Sequence, residues 1–179
     1  MPVEGMAMAT NLMAFAARPS EVDNLPEFEQ LYARFWESVY RTARRITGDA
    51  ADAEDILQTV FLRLLSNLDS ALDARSAEAY LRRAAINASI DVLRRRASRA
   101  ERSLDGLAEK PSGDDSLLLK EQLRRALAAL DPEDAELFLL RHLEGFSTEQ
   151  LAGLFGIERG TVGSRLFRIR RQLQKLLEG

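Results

Sequence analysis

The chain of 179 residues contains no cysteine. That excludes disulfides and thiolate metal sites, and it fits a reducing compartment, the cytoplasm. Histidine occurs once, at His142. A hydrolytic metal centre needs several converging ligands and a bound water, so no catalytic residue, metal or cofactor is expected. No run of 18 apolar residues occurs, which argues against a membrane span. The first residues lack the basic start and apolar core of a secretory signal. No stretch alternates apolar and polar residues with period two, so no sheet is expected. Nor is there an excess of positive charge, since the formal net charge is -3.

What is present is helical periodicity. Hydrophobic residues make up 46% and charged residues 30%, enough for cores with a soluble exterior. The chain reads as all-α, two small helical domains joined by a flexible linker. Residues 1–24 are rich in alanine and methionine and read as a loose tail. Residues 25–100 form the first module. In it, Phe28, Leu31, Phe35, Val39, Ala43 and Ile46 line a helix that Gly48 closes. Asp49 is placed to cap a second helix, which buries Ile56, Leu57, Val60, Phe61, Leu64 and Leu65. Ser76 is read as the cap of a third helix, with Leu81, Ala84, Ala85, Ala88 and Val92 inward. Residues 101–116 hold Gly106, Pro111, Gly113 and paired aspartates, a linker composition. Residues 117–179 form the second module. Its periodicity runs through Leu117, Leu119, Leu123, Leu127 and Leu130, then restarts at Asp131-Pro132, a cap followed by proline at the first helical position.

The C-terminal stretch from Phe146 to Leu177 is the most specific signal. Ser147 and Gln150 have the spacing of a capping box. Gly156 stands where a helix ends in a left-handed residue. Val162, Leu166, Ile169, Leu173 and Leu176 form one apolar stripe, and Arg159, Thr161, Ser164, Arg165, Arg168, Arg170 and Arg171 cover the other sides. This is a helix-turn-helix pattern, whose second helix enters the DNA major groove. A solvated helical hairpin is the plainer reading of the same residues. A membrane-surface helix fits less well, because the stripe is narrow and lacks interfacial tryptophan.

Charge is unevenly spread. Arg82, Arg83, Arg94, Arg95, Arg96, Arg99 and Arg102 make a second basic stretch. Acid gathers at Asp49, Asp52, Glu54 and Asp55 and again at Asp105, Glu109, Asp114 and Asp115. Two basic surfaces on an acidic chain point to nucleic acid, leaving acidic surfaces for a protein partner.

Three stretches together give the chain a resemblance. Asp52 to Phe61, Tyr80 to Asn87 with Asp91 and Arg94-Arg95-Arg96, and Gly145 to Leu166 occur in the order and spacing of bacterial sigma-70-family initiation factors. The chain resembles their smallest kind, the extracytoplasmic-function group. The resemblance covers Phe28 to Leu177. It implies a promoter-melting domain (region 2), a linker and a helix-turn-helix domain (region 4). It implies that Asp52, Glu54, Asp55 and Gln58 dock on core RNA polymerase. Tyr80, Arg83, Asn87, Asp91, Arg94 and Arg95 would take the unpaired −10 element, and Arg159, Thr161, Ser164, Arg165, Arg168 and Arg171 the duplex −35 element. An anti-sigma factor is the further partner it implies. The chain departs from the family at Tyr80, where tryptophan is usual, at Gly163, where lysine is frequent, and at Phe167, where a polar residue is usual. Two rivals follow from the residues alone: a dimeric regulator that never touches polymerase, and a purely structural helical scaffold.

Overall fold

The computed structural model describes residues 25–66, 74–102 and 115–178. The tail to Asn24 and most of the 101–116 linker therefore lie outside the described residues. Seven helices and no strand occur among the described residues. They are α1 (Leu25–Thr47), α2 (Ala50–Leu65), α3 (Ala74–Arg102), α4 (Asp115–Ala129), α5 (Pro132–His142), α6 (Thr148–Phe155) and α7 (Arg159–Glu178). The chain divides into two compact units, one ending at Ala88 and the other beginning at Ser89, so the division falls inside α3.

In the first unit α1 and α2 pack along each other. Gly48 adopts φ 75°, and its amide donates to the Arg44 carbonyl at 3.0 Å, closing α1. Asp49 then caps α2, its carboxylate accepting from the Asp52 amide at 3.0 Å. The side chains expected inward from α1 and α2 are buried, from Phe28 through Ile46 and from Ile56 through Leu65. Phe28, Tyr32 and Phe61 form an aromatic cluster, with Tyr32 edge-on to Phe61 at 4.8 Å between centroids. Edge-to-face rings of this kind add to the area they bury.

Helix α3 begins at Ala74, so Ser76 lies inside its first turn rather than capping it. Leu81, Ala85 and Ala88 are buried as expected, joined by Ile86, Ile90 and Leu93. Ala84 and Val92 are only half-buried, because the buried face drifts around the helix over 29 residues.

In the second unit α7 packs against α4, α5 and α6. Asp131 caps α5 by accepting from the Glu133 amide at 3.0 Å, with Pro132 in the first turn. Along α4 the buried residues are Ala126 and Leu127, followed by Leu130. Leu117 and Leu119 are exposed, at 54% and 57%, and Leu123 sits at 36%. The 3.6-residue repeat puts Leu119, Leu123, Leu127 and Leu130 on one face and Leu117, two positions before Leu119, on the opposite one. Only the C-terminal half of α4 meets the rest of the unit's core.

Candidate nucleic-acid interface

The turn into α6 is tightly specified. Gly145 has φ 74°, the Phe146 amide donates to the Leu140 carbonyl at 3.0 Å, and the Arg141 guanidinium donates to the Phe146 carbonyl at 2.7 Å. Both halves of the capping box then form. The Ser147 amide donates to Gln150 Oε1 at 2.7 Å, and the Gln150 amide to Ser147 Oγ at 3.2 Å. Gly156 ends α6 at φ 65°, ψ 33°, the left-handed region where a Cβ is penalised. With Ile157 donating to the Ala152 carbonyl at 3.0 Å, the chain swings directly into α7.

Helix α7 is two-faced. Val162, Leu166, Ile169 and Leu173 are buried, while Leu176, expected in the same stripe, is 43% exposed. The helix outlasts the core that covers it. Thr161, Ser164, Phe167, Arg168 and Arg171 are exposed, and 20 residues at about 1.5 Å rise make an outward face long enough to lie in a groove. The Ser164 hydroxyl donates to the Thr161 carbonyl at 3.0 Å, which leaves its lone pairs outward. Phe167 is 59% exposed, an aromatic ring standing among the arginines.

Two of the arginines are held within the unit. Arg159 pairs with Glu149 at 2.5 Å across the turn, with 70% and 55% of the two side chains exposed. The Glu149 carboxyl is held below its ordinary range by its own backbone amide, the Ser147 hydroxyl and Arg159. Arg165 is more enclosed, 20% exposed, and bonds Asp134 and Glu133 of α5. Burial acts to lower its pKa, but the bonds to the two carboxylates outweigh that and raise it. Nothing in the sequence pairs these residues, since 31 and 32 positions separate them. The His142 ring lies tilted against Phe138, 46° between planes and 4.5 Å between centroids. Its pKa is lowered by burial and then by Arg170 and Arg141.

On α3, Tyr80, Arg83 and Asn87 are half-buried, while Asp91, Arg94 and Arg95 are exposed. Steps of three and four keep Tyr80, Arg83, Asn87, Asp91 and Arg94 near one line along the helix. Arg95 Nε donates to the Asp91 backbone carbonyl at 3.3 Å, so it is the main chain of Asp91 that meets an arginine there. Nearer the start of α3, Arg82 pairs with Glu78 at 2.7 Å. On α2, Glu54 and Asp55 are exposed, and Asp52 and Gln58 half-buried, on the side away from Ala53, Ile56, Val60 and Phe61.

The fold and this geometry define a class: an all-helical protein with a helix-turn-helix and a second basic helix. The model of sigma-70 region 2 matches residues 31–99, and that of sigma-70 region 4 matches residues 120–173. The chain is 35% identical to an RNA polymerase sigma-E factor of Streptomyces avermitilis over 159 residues, 85% of this chain and 86% of that one. It is 35% identical to the ECF RNA polymerase sigma factor SigL of Mycobacterium tuberculosis over 156 residues, 83% of this chain and 87% of the other. Among solved structures, the sigma factor RpoE in complex with the anti-sigma factor NepR, from Bartonella quintana, aligns with TM-score 0.51 and 25% identity. That alignment covers 85% of this chain and 97% of the other. The structure of CnrH in complex with the cytosolic domain of CnrY shares the fold, with TM-score 0.56 and 22% identity over 96% of each chain. The chain belongs to the sigma-70 family of RNA polymerase sigma factors, in its ECF group. It directs promoter-specific initiation of transcription.

Proposed function

We propose that three surfaces divide the work of initiation. Residues 25–100 act as the polymerase-binding and −10 module, and residues 117–179 as the −35 module. Residues 101–116 tether them, so that sites about two duplex turns apart, each roughly 34–36 Å, are reached together. Asp52, Glu54, Asp55 and Gln58 offer an acidic face to basic groups of core polymerase. Such complementarity governs orientation and association rate more than affinity. Tyr80 and Asn87 hold unpaired −10 bases, by stacking and by an amide that reads a base edge, against an unstacking cost of a few kcal/mol. Arg83, Arg94 and Arg95 follow the opened strand's backbone, and Asp91 flanks them.

The observation that carries the −35 assignment is the two-faced α7, buried along Val162, Leu166, Ile169 and Leu173 and polar on the side it turns outward. Thr161 and Ser164 lie near its N-terminal end, the part that reaches base edges in this motif. Arg159, Arg168 and Arg171 supply phosphate or guanine contacts. The chain contributes no catalysis of its own and works in the cytoplasm. An anti-sigma partner silences it, a reading supported by the similar RpoE having been solved in complex with an anti-sigma factor.

The test is run-off transcription with core polymerase on a promoter selected from a random library. Transcripts that require this chain, and vanish when Asp52, Glu54 and Asp55 are neutralised together, support the assignment. Retention on duplex DNA with no effect of polymerase supports the dimeric-regulator reading instead.

A further inference from the structure

We propose that Arg165 is a positioning residue, which sets the seat of the recognition helix through Asp134 and Glu133 and does not itself contact DNA. The proposal rests on the −35 reading above and divides the arginines of α7 into two jobs. Arg165 Nε donates to Asp134 Oδ1 at 2.5 Å, and its Nη2 donates to Glu133 Oε2 at 3.0 Å. One edge of the planar guanidinium is thereby occupied by two carboxylates. A bidentate fork needs such an edge, whether for guanine or for phosphate. Arg165 is 20% exposed and Asp134 25%, whereas Arg168 and Arg171 are exposed.

The placement explains the purpose. Glu133 and Asp134 stand in the first turn of α5, where acids also complement the helix dipole. Asp131 fixes that turn by accepting the Glu133 amide at 3.0 Å. Arg165 lies between exposed Ser164 and buried Leu166, at the seam of the two faces of α7. The apolar stripe resists lifting of α7 from the unit, but apolar contacts are non-directional and resist rotation weakly. A forked, charge-assisted bond at the seam fixes rotation, because both bonds hold only at one angle. Rotation of α7 would swing the short side chains of Thr161 and Ser164 off the base edges they are assigned, while the longer arginines still reach phosphates. Small misplacements of polar groups carry large losses in binding.

The two readings of Arg165 predict opposite signs for one experiment. The probe is a duplex selected by the wild-type full-length chain from a random-sequence library, with affinity measured between about 50 and 200 mM salt. The variant Glu133→Gln with Asp134→Asn removes two negative charges and releases Arg165. If Arg165 contacts DNA, binding tightens. If it is a positioning residue, binding weakens, by five-fold or more, despite the gain in net positive charge. Arg165→Gln is expected to weaken binding by a similar factor while leaving the slope of log affinity against log salt at its wild-type value. Loss of a phosphate contact would make that slope shallower by about 0.9. The triple variant is expected to bind no worse than Arg165→Gln alone, as coupled groups are not additive. A merely structural role would lower the unfolding midpoint and leave the affinity of the folded molecule unchanged. Unchanged or tighter binding by the acid-pair variant, or a shallower slope for Arg165→Gln, overturns the proposal. If Arg165→Gln does not fold, the acid-pair variant still decides. Failure of the wild-type chain to select any duplex would instead strike the −35 reading itself.

Discussion

Gly163 and Gly156 offer a paired perturbation in which equal space leads to opposite outcomes. A Cβ built on either glycine meets nothing within 4 Å. Gly163 lies inside α7 with ordinary helical backbone, since the only positive-φ glycines among the described residues are Gly48, Gly145 and Gly156. Gly163→Ala therefore adds a methyl without a clash and removes a helix penalty of about 0.8–1.0 kcal/mol. Gly156→Ala forces an L side chain to φ 65°, where the left-handed region costs about 1–2 kcal/mol. Steric room cannot account for the difference; only the backbone torsion can. Because the chain has two units, a single melting curve mixes their transitions. Native-state hydrogen exchange of the amides from Val162 to Leu173, in the full-length chain, reads the local stability of α7 directly. One kcal/mol corresponds to about a five-fold change in an equilibrium constant. Exchange of these amides should slow by about four- to five-fold in Gly163→Ala and quicken by at least five-fold in Gly156→Ala. Faster exchange in Gly163→Ala, or no change in Gly156→Ala, would refute the reasoning.

Further outcomes follow from other sites. The Tyr32 hydroxyl is buried with no hydrogen-bond partner, and burial raises its pKa. Tyr32→Phe should therefore cost nothing or stabilise the first unit by about 1 kcal/mol, and a loss beyond 1 kcal/mol in denaturant titration would count against this. Arg168→Gln and Arg171→Gln should each make the salt dependence of duplex binding shallower by about 0.9, unlike Arg165→Gln. Glu149 has a folded pKa below its ordinary 4.5. Its contribution to the start of α6 is thus present above about pH 4.5 and lost as pH falls through the lower folded value. Carboxyl NMR titration should give a midpoint under 4.5 that moves upward in Ser147→Ala; a midpoint at or above 4.5 in the wild type would contradict the cap geometry.

Much of the fold was legible without coordinates because its signals are local. Caps at Asp49, Asp131 and Ser147, and the left-handed turn at Gly156, involve donors and acceptors two to five residues apart. Short-range chemistry of this kind is settled by residue identity and order. The apolar stripe of α7 follows similarly from the 3.6-residue repeat, which decides which side chains share a face. That repeat does not say how far along a helix its neighbours extend. Leu119 and Leu176 carry the right spacing yet are exposed, since no other described helix covers those ends. The start of α3 at Ala74 rather than Ser76 is a boundary of the same sort.

The pairing of Arg165 with Asp134 and Glu133 belongs wholly to the tertiary structure. In sequence Arg165 is one more arginine on a basic helix, with nothing to set it apart from Arg168 three residues on. Only when α5 and α7 are packed does the first turn of one come within 3.0 Å of the other, while Arg168 and Arg171 remain outside. Sequence determined which helices form, where they are capped and which face of each is apolar, because hydrogen bonds and rotamers act over one or two turns. Packing decided which charges are consumed inside the unit and which are left to meet DNA, because that depends on distances between segments some 30 residues apart.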